Sequence, residues 1–97
     1  MKPIVLNSIQ KLSDNDEIES CLLISPKGKI KVKAGNTEKI KTHDFATLAA
    51  TILGAAIESN KLIERKFPKK ISVEDPGGYT IIRVIDKNNI LLVRTNS

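Results

Sequence analysis

The sequence predicts an α/β (α+β) sandwich of three layers: a five-stranded antiparallel sheet in the order 2-1-5-4-3, with one helix on each face and the chain order α-β-β-α-β-β-β. Three observations carry this expectation. Cys21–Ile24 and Ile90–Val93 are apolar at every position, so both faces of these strands need cover and both strands belong in the middle of a sheet. Lys29–Ala34 places Lys at every second position, and Lys69–Glu74 opens on two Lys behind Pro68; Lys and Pro mark edge strands, which must resist wrong pairing. Finally, 40% of the 97 residues are apolar and nearly all of these are aliphatic, more than one sheet face requires.

Each element follows in turn. Residues 3 to 13 place Val5, Leu6, Ile9 and Leu12 near helical spacing, with Pro3 suited to a first turn. Asp14 to Glu19 reads as an acidic connector. Cys21–Ile24 is a strand ended by Ser25-Pro26-Lys27-Gly28, which is turn chemistry. Lys29–Ala34 alternates and forms the second strand of a hairpin, with three Lys on one wet face, until Gly35-Asn36 stops it. Thr42, His43 or Asp44 can cap a long helix that runs to about Leu62. Strands at about Lys69–Glu74, Tyr79–Asp86 and Ile90–Thr95 complete a meander, joined by Pro76-Gly77-Gly78 and Lys87-Asn88-Asn89.

Composition narrows the class of protein. A chain of 97 residues forms one domain over residues 1–97 and is too short for two independent cores. The apolar content argues against disorder, and the longest apolar run, four residues, is far short of a membrane-spanning helix. A single Cys cannot form an internal disulfide, and no basic-then-apolar leader is visible, so a reducing cytoplasm is expected. One His and one Cys argue against structural zinc. The net charge of +5 invites a nucleic-acid reading, although residues 1 to 20 are acidic overall.

The long helix carries the strongest functional signal. Winding it at about 100° per residue places Phe45, Leu48, Ala49, Ile52, Ala56 and Ile63 on one large aliphatic face, expected to lie on the sheet. A second apolar face follows round the helix, with Ala46, Ala50, Leu53, Gly54 and Ile57. Ala46, Ala50 and Gly54 sit four apart and form a groove in which another backbone could approach closely. The expectation is that the same helix of a second subunit packs there, antiparallel across a two-fold axis; the alternative is that loops of the same chain cover this face, or that Ala is there simply as a helix former. Only Thr47, Thr51 and Glu58 form a polar strip in the middle of the helix.

The order of elements now has a counterpart. Ile9-Gln10-Lys11-Leu12, the strand closing on Ser-Pro-Lys-Gly, the Phe45–Ile63 helix, and the ending KISVEDPGGYTIIRVIDKNNILLVRT resemble the Roadblock/dynein light chain family over about residues 4 to 95. The resemblance implies a dimer in which the helix pairs with its copy and the 69–74 strand, with Ile71 and Val73, extends the sheet across the two-fold. It also implies a platform that holds or regulates small Ras-like GTPases, or serves as an adaptor. Combined with helix geometry, it makes Thr47, Thr51 and Glu58 the expected docking strip for such a partner.

Chemical alternatives are weaker. There is no G-x-x-x-x-G-K motif followed by Ser or Thr, and Lys27-Gly28-Lys29 lacks a Gly-rich loop leading into a helix. Gly77-Gly78 reads as a hairpin turn, His43 has no evident nucleophile beside it, and Cys21 reads as a buried, inert thiol. The acidic residues before the first strand lack the spacing of a calcium loop. Arg65, Arg83 and Arg94 are the candidates for assisting GTP hydrolysis, and nothing singles one out. No catalytic residue, cofactor site or metal site is nominated, and the chain is expected not to be an enzyme. The alternative function is a basic module for nucleic acid or another anionic surface, using Lys29, Lys31 and Lys33 or the cluster Lys61, Arg65, Lys66, Lys69 and Lys70. Only Phe67 interrupts that cluster with an aromatic ring, so nucleic acid is not favoured. A small-ligand sensor would need a polar group inside the apolar strands to orient its ligand, and none is visible.

Overall fold

The computed structural model of the chain describes residues 17–38 and 40–95. The helix expected over residues 3 to 13 lies outside the described residues. The elements are β1 (Ile18–Ile24), β2 (Ile30–Gly35), α1 (Thr42–Leu62), β3 (Lys70–Asp75), β4 (Gly78–Asp86) and β5 (Asn89–Thr95). The five strands form one sheet in the order β2-β1-β5-β4-β3, and every neighbouring pair is antiparallel. This is the predicted α+β sheet, with α1 on one face.

β1 begins earlier than its apolar run. Ile18 pairs with Thr95 of β5, so the stretch read as an acidic connector already belongs to the sheet at its end. Charged neighbours hide the alternation there: Ile18 packs against the cluster of Cys21, Leu23, Ala34 and Val93, on the face away from α1. The helix-side cluster contains Leu22, Ile24, Ile82, Ile90 and Leu92 with Ala46, Ala49 and Leu53. β1 and β5 thus send large side chains to both faces, which is why their sequences lack polar alternation.

β2 departs from strict alternation. Leu23 faces Val32 while Ile24 faces Ile30, so Lys31 is the extra residue of a bulge. Ile30 joins the helix-side cluster and Val32 the opposite one. The three Lys therefore do not share one face. Lys31 is turned toward the β4–β5 turn, where its Nζ donates to the Asn88 carbonyl at 2.8 Å and to Asn89 Oδ1 at 2.7 Å. The preceding turn is closed by Gly28 N–H to the Ser25 carbonyl at 2.9 Å. Gly28 has φ +88°, and a Cβ there would stand 3.0 Å from Thr47 Cα, so glycine serves both the turn and the close seating of α1.

α1 spans the predicted residues but starts and sits differently. Thr42 is already helical and Lys41 holds the N-cap position with no side-chain cap bond, so none of Thr42, His43 and Asp44 caps the helix. Asp44 lies in the first turn, where its charge complements the helix dipole. The buried residues of α1 are Ala46, Ala49 and Leu53, with Phe45, Ala50 and Ile57 packed beside them. Of the large aliphatic face expected on the sheet, Phe45 and Ala49 do lie against the core, while Leu48, Ile52 and Ile63 are exposed. The sheet supplies the large side chains of this layer, so the helix approaches with its small ones, which bring its backbone close.

Candidate docking face

This placement overturns the expected seam. Ala46 and Leu53 belong to the chain's own core, with Ala50 and Ile57 packed against it, and so they form no outward groove. Gly54 alone of the small triplet opens outward; a Cβ there would meet nothing within 4 Å. The outward apolar surface lies on the other flank, where Leu48 is 62% exposed and Ile52 44% exposed. Sequence periodicity counted both residues as core, because hydrophobicity alone does not say which of two apolar faces turns inward.

The flank has a definite position. Gly28 of the β1–β2 turn lies against the backbone of Ala46 and Thr47. Ile52 sits about 140° round the helix from Thr47, on the flank away from that turn. In the sheet, β3 forms an edge with β4 as its neighbour. Ile71 opposes Ile82, and Val73 opposes Thr80. Since Ile82 and Ile71 pack in the helix-side cluster, Val73, two residues on, lies on that same face. Val73 is 46% exposed. Ile71 and Val73 thus face the same side of the sheet as α1.

The polar strip is outward as expected. Thr47, Thr51 and Glu58 are all exposed. Thr47 Oγ1 donates to the His43 carbonyl at 3.0 Å and Thr51 Oγ1 to the Thr47 carbonyl at 3.0 Å. The threonines thereby satisfy their donors on the helix itself and present methyl groups and a hydroxyl oxygen outward. Glu58 meets Lys61 at 3.3 Å, an exposed pair of little energetic consequence.

Electrostatic order is concentrated at the end of β3. Arg94 Nη1 lies 2.8 Å from Asp75 Oδ2, and Nη2 donates to Asp75 Oδ1 at 3.0 Å. Gly77 N–H donates to Asp75 Oδ1 at 2.7 Å, and Arg94 Nη1 also reaches Thr80 Oγ1 at 3.2 Å. The Arg94 hydrogen bond, followed by that of Gly77, holds the Asp75 carboxyl below its ordinary range. Arg94 was considered from sequence only as an aid to hydrolysis; the geometry gives it a carboxylate partner nineteen residues away. Burial pushes the Cys21 thiol up, which disfavours the reactive thiolate. Among the described residues, no group of three or more His, Cys, Asp or Glu is placed to hold a metal ion, and no helix is long and apolar enough to cross a membrane.

No protein-family model matches the sequence, and a search of curated proteins found no match. Solved structures do match the fold. MglB of Myxococcus xanthus superposes with a TM-score of 0.85 at 19% identity, covering 99% of this chain and 80% of that one. A Roadblock/LC7 domain from Streptomyces avermitilis gives 0.78 at 14% identity, covering 93% of this chain and 73% of the other. The gliding protein MglB from Thermus thermophilus gives 0.75 at 17% identity, with coverages of 92% and 70%. The chain has a Roadblock-like fold, as the resemblance implied.

Proposed function

We propose that this chain is a cytoplasmic, non-enzymatic homodimer that serves as a platform for, or regulator of, a small Ras-like GTPase. One observation carries the association: exposed Leu48 and Ile52 on α1 and partly exposed Ile71 and Val73 on the β3 edge lie on the same side of the sheet. In the proposed dimer, the helices of two copies pack along this flank and their β3 edges meet across a two-fold axis. A structure of MglB in a tetrameric arrangement, with a TM-score of 0.80, is a precedent for self-association of this fold. The GTPase partner rests on the family resemblance, with the Thr47, Thr51 and Glu58 strip offered on the outer helical layer.

The test pairs the full chain with a panel of small GTPases from the same source, loaded with GDP or a GTP analogue. Binding to one of them should weaken at least about tenfold in Thr51→Arg, the scale of about 1.4 kcal/mol lost at one contact. A hydrolysis assay of the complex then shows whether the platform is passive. Failure of the whole panel to bind would remove the GTPase reading, and equal binding by Thr51→Arg would remove the Thr47, Thr51 and Glu58 strip as its docking site. Salt-sensitive oligonucleotide binding without any GTPase preference would favour the basic-surface reading instead.

A further inference from the structure

The α1–β3 connector with the residues that flank it, 61 to 70 (KLIERKFPKK), combines two properties found together nowhere else among the described residues. It carries Lys61, Arg65, Lys66, Lys69 and Lys70 against one acid, Glu64. It also carries three of the most exposed large apolar side chains: Leu62 at 86%, Ile63 at 63% and Phe67 at 61%. A run of Lys alone is usually a solvated face, and single exposed apolar residues are common. Apolar side chains set among cations are the composition of a surface that enters the headgroup boundary of an anionic lipid layer.

The connector is held in shape. Glu64 N–H donates to the Lys61 carbonyl at 3.2 Å and Arg65 N–H to the Asn60 carbonyl at 2.7 Å, the paired bonds of a Schellman helix end. Glu64 takes the left-handed conformation that motif needs, with φ 56°. Asn60 Nδ2 donates to the Lys66 carbonyl at 2.8 Å, and the Lys69 carbonyl accepts Val84 N–H at 2.9 Å. The backbone is therefore anchored at both ends while Leu62, Ile63 and Phe67 project from it, so little ordering is needed when a surface is met.

We propose that the α1–β3 connector docks on anionic lipid surfaces, with Leu62, Ile63 and Phe67 entering the boundary between headgroups and acyl chains and the five cations meeting lipid phosphates. Charge selects this occupant over a second copy, since two such segments would oppose cation to cation. Chemistry selects it over nucleic acid, since Leu62 and Ile63 provide no stacking platform. The inference is independent of the GTPase reading.

The test is sedimentation of the full chain with phosphatidylcholine vesicles, with and without phosphatidylserine, at low and high salt. Binding should require phosphatidylserine and be lost at high salt. Lys66→Ala should weaken it about fivefold, the effect of one cation near an anionic surface. The paired substitution Leu62→Ser with Phe67→Ser should weaken it about tenfold or more at unchanged charge. Both side chains are exposed, so circular dichroism should be unaltered; should it change, Phe67→Ser alone, outside α1, supplies the same readout. Absence of binding to phosphatidylserine vesicles at low salt would overturn the proposal, as would undiminished binding by the serine pair. A serine pair that changes the mass in light scattering while the unmodified chain ignores vesicles would overturn it too, assigning the patch to protein contact.

Discussion

A single guanidinium ties three strands together. Arg94 on β5 reaches Thr80 on β4 and Asp75 at the end of β3, while Asp75 also fastens the following turn through Gly77 N–H. Arg94→Ala should therefore speed hydrogen exchange of the β3 amides while leaving those of β1 protected, since β3 has one neighbouring strand to hold it. The same pair sets an acid dependence. The folded pKa of Asp75 lies below its ordinary value of 3.8, so its contribution is complete above that value and disappears as pH falls through the folded one. Opening of β3 should increase below about pH 4, and Asp75→Asn should flatten that dependence. Asp86 behaves alike, held low first by the Asn89 amide and then by Asn88 N–H, so carboxyl titration by NMR should find both groups low. Glu64 provides the opposite kind of residue. It occupies a left-handed position where Gly is the usual helix terminator, with φ 56°. Glu64→Gly should stabilise the chain by about 0.5–1 kcal/mol in urea unfolding, by relieving the contact of Cβ with the backbone.

At the scale of the element, α1 separates what periodicity reveals from what packing decides. Its extent from Thr42 to Leu62 was legible, because apolar spacing and the following Pro68 bound it. So was its excess of apolar surface, more than one contact consumes. The choice of inner face was not legible. Leu48 and Ile52 outrank Ala46 and Ala49 in hydrophobicity, yet Leu22, Ile24, Ile82 and Leu92 fill the interlayer from the sheet, and Ala46 and Ala49 beside Leu53 let the helix come close. The bulge at Lys31 was hidden for a related reason: alternation in β2 is perfect in sequence, and only its pairing with β1 shows one residue too many. Substitutions in the helix should report the inversion. Leu53→Ala should destabilise the fold by about 2–5 kcal/mol, as a truncation in the core does. Gly54→Ala should instead stabilise it by about 1 kcal/mol, since helix propensity improves and an added Cβ meets nothing within 4 Å. Thermal unfolding of the two variants checks both directions.

For the whole molecule, strand order was legible because it follows from a conflict between burial and solubility: strands without polar positions must lie inside a sheet, and strands guarded by Lys and Pro at its edges. The family resemblance implied an association surface at β3, and helix periodicity expected it on a flank whose Ala46 and Leu53 the chain's own sheet already covers, which a sequence does not show. The corrected flank yields a sharper prediction for the dimer. Leu48, Ile52 and Val73 each retain roughly half their surface in solvent, and burying that remainder is worth about 1 kcal/mol apiece. A two-fold axis counts every contact twice, so these side chains form the apolar centre of the proposed interface. Ile52→Asp places a carboxylate where each partner would desolvate it, and the two copies are affected together; dissociation should become at least about a hundredfold easier. Gly54→Leu, on the far side of the helix, should leave the dimer intact although it would fill the small-residue groove expected from sequence. Light scattering of the unmodified chain and these two variants decides between the flanks: a smaller particle for Ile52→Asp alone supports the Leu48–Ile52 seam, and a smaller particle for Gly54→Leu alone restores the small-residue groove. A monomeric unmodified chain would remove both seams and leave any GTPase contact to a single copy.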